Sequence, residues 1–236
     1  MESRGPAPDD VTLFAPAAVV CLRVALGEIV WLLDRGYSLP SVLELVGNRH
    51  RLDARQRKAL QRASCSTAER DARLAKRVAW ESARDQTVEG DGFNLIVTLE
   101  SAVGGAPVFL GNDGAPRDLA GLRGSYRLTD DTARCIDLVG EAVARAAPSR
   151  VRVWLDGPVS NSGRLRALWT ERAALWTCPV DIELVDDPDR VLEGRDLVVS
   201  SDARVIDRAS RTTDLASHVI ARSIPAAWVI ELRADA

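Results

Sequence analysis

The alternation that begins at residue 87, short β-branched segments separated by helix-period stretches, constrains this chain more than any other feature. Candidate strands are 87–90, 107–110, 151–155, 180–185 and 196–199. Between them, 130–146 places Ala133, Ile136, Val139 and Val143 on one helical face, and 162–176 does the same with Leu165, Leu168, Trp169, Leu175 and Trp176. Strands alternating with helices imply right-handed crossovers and a mainly parallel sheet flanked by helices. Residues 93–99 fit either a buried strand or the first turns of a helix ending at Gly104-Gly105. The turn form of Gly90-Asp91-Gly92 and a next strand at 107 favour the helix.

The first 85 residues have a different rhythm. Residues 1–10 are polar and rich in Pro and Gly, and read as a disordered tail. Apolar positions from 16 to 35 make an amphipathic helix ended by Gly36, and Pro40 opens a second with Gly47-Asn48 as its left-handed stop. Asp53 and Gln56 form a capping box for a third helix running to about residue 63, and a fourth spans 68–84. The expected domains are therefore a helical unit at 11–85 and an α/β unit at 86–236.

Charge separates these units mildly. Residues 1–86 carry 14 basic against 11 acidic side chains, and the remainder 17 against 23. Arg49, Arg51, Arg55, Arg57, Lys58 and Arg62 cluster on the third helix and its lead-in against the single acid Asp53. Such a cluster neutralises phosphates of RNA, or it forms a solvated face paired with acids nearby. The four cysteines form no CxxC pair, as expected of reduced cytoplasmic thiols. With two histidines in the chain, a His-rich zinc site is excluded. The apolar run 13–33 contains Arg23 and Glu28 and lacks the form of a signal peptide, so no membrane span is expected.

Four of the five candidate strands end in aspartate: Asp91, Asp113 after Gly111-Asn112, Asp156, and Asp202 after Ser200-Ser201. Each alone suits a helix cap or turn. Together, on one edge of a parallel sheet with strands roughly 4.8 Å apart, they would repel, raise one another's pKa and recruit a divalent cation. Oxygen ligands suit Mg²⁺ or Mn²⁺, which serve phosphodiester cleavage.

Asp91-Gly92-Phe93-Asn94-Leu95 resembles the Asp-Gly-x-Asn start of the NYN branch of PIN-like nucleases. Ser200-Ser201-Asp202 followed by Ile206 is similar to the Thr/Ser-x-Asp tip near that domain's end. Nearly the whole chain also resembles an uncharacterised prokaryotic family with a short helical N-terminal domain and a PIN-like C-terminal domain. Stretches 33–37, 46–49, 55–57, 65–66, 113–114, 117–118 and 124–127 carry that likeness. The resemblance implies a three-layer α/β/α domain and metal-dependent RNA cleavage. It implies roles as metal ligands and catalytic acids for Asp91 and Asp202 by motif and Asp156 by strand position. Asn94 would orient Asp91 or contact a metal-bound water, and Glu100 or Asp113 would supply a further acid. Glu89 and Gly90 stand where such domains have buried aliphatics.

The loop 114–127 brings Arg117, Arg123 and Arg127 beside Asp118, either to hold a phosphate or to latch the loop by salt bridges. Two expectations follow: a metal-dependent ribonuclease or related phosphodiesterase, or a non-catalytic protein binding RNA or another partner. A hydrolase of small phosphate esters is a third use of the same acids.

Overall fold

The computed structural model describes residues 3–121 and 124–233. The chain starts with a short helix, α1 (Asp10–Leu13), and continues through α2 (Pro16–Leu33), α3 (Leu39–Arg49), α4 (Ala54–Ala63) and α5 (Thr67–Lys76). A two-residue strand β1 (Arg77–Val78) leads to β2 (Thr87–Asp91), α6 (Gly92–Val103), β3 (Val108–Leu110) and β4 (Pro116–Arg117). Then follow α7 (Thr132–Ala146), β5 (Arg150–Asp156), α8 (Ser162–Ala173), β6 (Val180–Val185), α9 (Pro188–Leu192) and β7 (Val198–Val199). The last elements are α10 (Ala203–Arg208), β8 (Thr212–Thr213), α11 (Leu215–Ser223) and β9 (Val229–Glu231).

Six strands form one parallel sheet in the order β1-β8-β7-β2-β5-β6. From β2 the chain winds outward through β5 and β6, then returns to β7 on the other side of β2. The reversal makes the carboxyl end of β2 the switch point where open α/β sheets bind ligands. Side chains alternate across the sheet as a strand requires. Val153, Leu155 and Val199 join Ile96, Leu99, Val139, Trp169 and Val219 in the larger core under α6, α7, α8 and α11. Trp154 and Val198 face the opposite way, onto Leu192 and Val205 of α9 and α10.

This sandwich explains the polar sequence of β2. Glu89 lies on the thinner face, where its carboxylate accepts a 2.9 Å hydrogen bond from Trp154 Nε1 and lies 3.7 Å from Arg195. The strand is held by neighbours on both edges, pairing with β5 over five positions and with β7 over two. It therefore does not need an aliphatic side chain at every position.

The N-terminal helices build a second core, with Leu22, Ile29, Val42, Val46 and Leu60 closing on Phe109, Leu119, Ile230 and Leu232. Those last residues belong to or adjoin a small sheet, β4-β3-β9, in which β3 runs parallel to β9 and antiparallel to β4. Phe14 stacks edge-on against Phe109 with ring centroids 4.8 Å apart. Helix α2 is long and apolar enough to cross a membrane by length and composition alone. Here Leu22, Ala25, Leu26 and Ile29 are buried, while Val20, Val24 and Trp31 are exposed.

Several expectations are corrected. The strand expected at 107–110 is present as β3 but does not enter the parallel sheet, because β5 and β7 already occupy both edges of β2. The helix expected at 68–84 begins from a Ser66–Glu69 capping box and ends at Lys76. Arg77 then turns extended, Val78 pairs with Thr213, and Trp80–Ala83 form a short 3₁₀ turn. Helix α3 runs through Gly47-Asn48 instead of stopping there, and the left-handed residue is Arg51 at φ 51°. Residues 3–10, expected to be a disordered tail, are anchored. Arg4 Nε lies 2.6 Å from Glu100 Oε2, and the fully buried Asp10 carboxylate binds Arg55 and accepts from the Ala7 amide. The capping box at Asp53 and Gln56 forms as read, and residues 93–99 are helical.

Candidate functional site

Asp91 ends β2 and caps α6, its Oδ1 accepting from the Asn94 amide at 3.1 Å. Gly92 lets the helix begin there. A Cβ on it would stand 2.5 Å from Val153 Cγ1 and 2.7 Å from Leu155 Cδ2, inside the neighbouring strand's side chains. Asp202 holds the equivalent place after β7, capping α10 through the Arg204 amide at 2.7 Å. Asn94 clamps these two tips together: its Oδ1 accepts from the Ser201 amide at 2.7 Å and from Ser201 Oγ at 2.8 Å. Asn94 thus holds Asp91 through its backbone amide, and its side chain also fixes the spacing of the two acid-bearing loops.

Asp156 ends β5, and its Oδ1 is buried with no hydrogen-bond partner. Beyond β6 come Asp186 and Asp187, the latter capping α9 through the Arg190 amide at 3.2 Å, and Asp189 lies in the first turn of that helix. Asp91, Asp156, Asp186, Asp187 and Asp189 share one cleft of about 480 Å³, with Arg62, Asn94 and Asp118 on its wall. Asp202 lines an adjoining cleft of about 680 Å³ with Tyr37, Gln61, Ser64, Arg73 and Arg117; Arg62, Asn94 and Asp118 line both.

The crowding shows in the electrostatics. Burial pushes the Asp91 carboxyl up to about 7, with the charges of Asp189 and Asp202 adding to it against the Asn94 and Phe93 amides. Burial, then Asp187 and Asp186, raises Asp156. Burial, then Asp202 and Asp187, raises Asp189 against the pull of Arg204 and Arg208. Among the described residues, no three His, Cys, Asp or Glu side chains are arranged as a ready cage for a metal ion. What the fold provides is a cleft of excess negative charge with one unsatisfied carboxylate oxygen. That suits a hydrated hard cation, since Mg²⁺ usually keeps several waters and takes only one or two protein carboxylates.

Asp113 is placed elsewhere. Following β3 in the small sheet, it is buried and binds Arg73 and Arg117, each at 2.9 Å, and the Ala115 amide at 3.1 Å. Against the cost of burial, Arg117, the Ala115 amide and Arg73 hold its carboxyl below the usual range. It serves as the counter-ion of two buried guanidiniums and leaves the proposed metal set. Glu100, the other candidate for a further acid, is fully buried, accepting from Tyr126 Oη at 2.8 Å and Thr129 Oγ1 at 3.0 Å, and also from Thr132 Oγ1.

The basic cluster is largely spoken for by the fold. Arg55 pairs with buried Asp10. Arg57 donates to the Leu52 carbonyl and to Asn48 Oδ1, both at 3.0 Å, and Lys58 donates to the Leu119 carbonyl at 2.7 Å. Arg49 lies 3.4 Å from Glu28, and Arg51 is exposed. Arg117 lines the larger cleft while bound to Asp113. The Arg127 carbonyl accepts from Arg4 at 3.2 Å, and Arg123 lies outside the described residues. Arg62, which reaches the Asp118 and Ala120 carbonyls and pairs with the Asp118 carboxylate at 3.1 Å, is the one member of the basic run lining both clefts. The acids missed in the sequence are Asp186, Asp187 and Asp189; the rule that found Asp91 applies equally to Asp186 and Asp187 at the end of β6, whereas Asp189 lies on α9.

Comparison with known proteins gives two family matches. Residues 80–218 match the model of "Domain of unknown function (DUF5616)", and residues 21–76 match "Protein of unknown function (DUF434)". The chain is similar to the "Uncharacterized protein MJ0935" of Methanocaldococcus jannaschii, 26% identical over 185 residues, covering 78% of this chain and 88% of the relative. No solved structure matches.

Proposed function

We propose, for a chain that belongs to the family "Domain of unknown function (DUF5616)", a divalent-cation-dependent phosphodiesterase that cleaves RNA at the acidic cleft. The observation that carries this reading is the convergence of carboxylates from successive strand ends on the switch point. Asp91 is raised to about 7, and Asp156 Oδ1 is left buried without a partner. One or two of Asp91, Asp156 and Asp202 would hold a hydrated Mg²⁺ or Mn²⁺, with water completing its shell. Asp189 replaces Asp113 as the additional nearby acid. The likeness of 91–95 and 200–202 to NYN and PIN-like nuclease motifs supports the same assignment.

A cation bound there supplies Lewis acidity and a more acidic water. The chain's residues supply the remainder. Asn94 keeps the Asp91 and Asp202 tips at fixed spacing, and Arg62 offers a guanidinium between the two clefts to a phosphate. The helical unit forms one wall of the larger cleft and positions the nucleic acid. A cytoplasmic location is part of this proposal, supported by four cysteines that form no disulfide.

A non-catalytic RNA-binding protein is the second reading, favoured by the lack of a three-acid cage among the described residues. The two separate on cleavage of an end-labelled single-stranded RNA with Mn²⁺ or Mg²⁺. The first requires turnover that Asp91→Asn lowers by roughly 100- to 1,000-fold, what loss of one preorganised electrostatic contact costs. Equal cleavage by the variant, or none by the native protein, would reject it.

A further inference from the structure

We propose that Cys21 is the reactive thiol of this chain, a site of covalent modification by low-molecular-weight disulfides, with His50 as its base and Glu28 orienting the imidazole. Cys21 and Glu28 stand two turns apart on one face of α2, and His50 is the C-cap that follows α3. Cys21 Sγ lies 3.6 Å from His50 Nδ1, and His50 Nε2 lies 2.9 Å from Glu28 Oε2. Arg49 holds the other Glu28 oxygen at 3.4 Å.

A neutral imidazole has one donor and one acceptor nitrogen. With Nε2–H donating to the Glu28 carboxylate, the Nδ1 lone pair faces the thiol. Nucleophile, base and orienting acid thus stand in the relation that activates a side chain for attack. Cys21 is half-buried at the edge of the helical core. The other thiols lack this arrangement. Cys65 and Cys135 are buried, and burial pushes Cys65 up to about 11 and raises Cys135 and Cys178. The remaining histidine, His218, lies beside Glu81 and Trp80 instead of a cysteine.

In the exchange, the Cys21 proton passes to His50 Nδ1 while the sulfur lone pair attacks one sulfur of the disulfide. The disulfide bond breaks, its electron pair leaves on the departing thiolate, and the proton on His50 passes to that thiolate, or to water where the thiolate is weakly basic. Nothing beyond the disulfide is consumed, and a mixed disulfide and one free thiol result.

The test is the reaction of the folded protein with dithiobis(nitrobenzoate), followed by the coloured thiolate it releases and by peptide mass spectrometry. In the native chain Cys21 is modified faster than Cys178, a comparison needing no variant. Cys21→Ser removes the fast phase. His50→Gln slows it about tenfold, because an unassisted thiol is only about a few per cent thiolate at neutral pH. Added imidazole restores part of the lost rate, which a purely structural role of His50 would not allow. Modification of Cys21 no faster than Cys178, a fast phase surviving in Cys21→Ser, or an unchanged rate in a folded His50→Gln protein would each overturn the proposal.

Discussion

At the level of single residues, Asp91 is where folding and chemistry conflict. Its carboxyl is raised to about 7, chiefly by burial, against about 3.9 for an unfolded aspartate. The folded state therefore keeps this proton to higher pH than the unfolded state does. Stability from this group is intact below about pH 4 and is lost as pH rises through about 7. Asp91→Asn removes that dependence while keeping an oxygen for the helix cap. Thermal melts in chelator should show the variant equal to the native protein near pH 4 and more stable at pH 8; a variant less stable at pH 8 would contradict the electrostatic account. Asp91 was legible in the sequence because glycines bracket it at a strand tip. Asp189 was not, because its approach depends on α9 folding back over β2 and β5, a contact between distant elements.

At the level of elements, the junction of β2 and α6 determines where the acids meet. Gly92 is the residue that lets α6 start against β5, and a Cβ there would fall 2.5 Å from Val153 Cγ1. Gly92→Ala should destabilise the fold by about 1–3 kcal/mol, the usual cost of overpacking a core; chemical denaturation showing less than a few tenths of a kcal/mol would mean the strand yields easily. The helix at 93–99 could be read from the turn before it and the glycines after it. The position of β3 could not. Its apolar residues satisfy either sheet equally, and what excluded it from the parallel sheet was the occupation of both β2 edges by strands far along the chain. That displacement carried Asp113 away from the acidic edge and gave it to Arg73 and Arg117.

For the whole molecule, the helical unit and the α/β unit share structure: the small sheet closes the helical core, and the larger cleft is lined from both. Local signals, capping boxes and apolar periodicity made each unit's elements readable. The shared cleft was not readable, because it arises from Tyr37, Arg62, Arg117 and Asp202, four residues widely separated in the chain. The two readings of the basic run could not be separated for the same reason: its side chains find partners in Asp10, Asn48 and the Leu119 carbonyl, all distant or outside the helix itself. The account stands on a hydrated cation being drawn to the acids around Asp91. Calorimetric titration of Mn²⁺ into the native protein and into Asp91→Asn at pH 7.5 tests this directly. One binding event per native chain, abolished or weakened at least about tenfold in the variant, is the predicted result; no Mn²⁺ binding to the native protein, or equal binding by both, would contradict it.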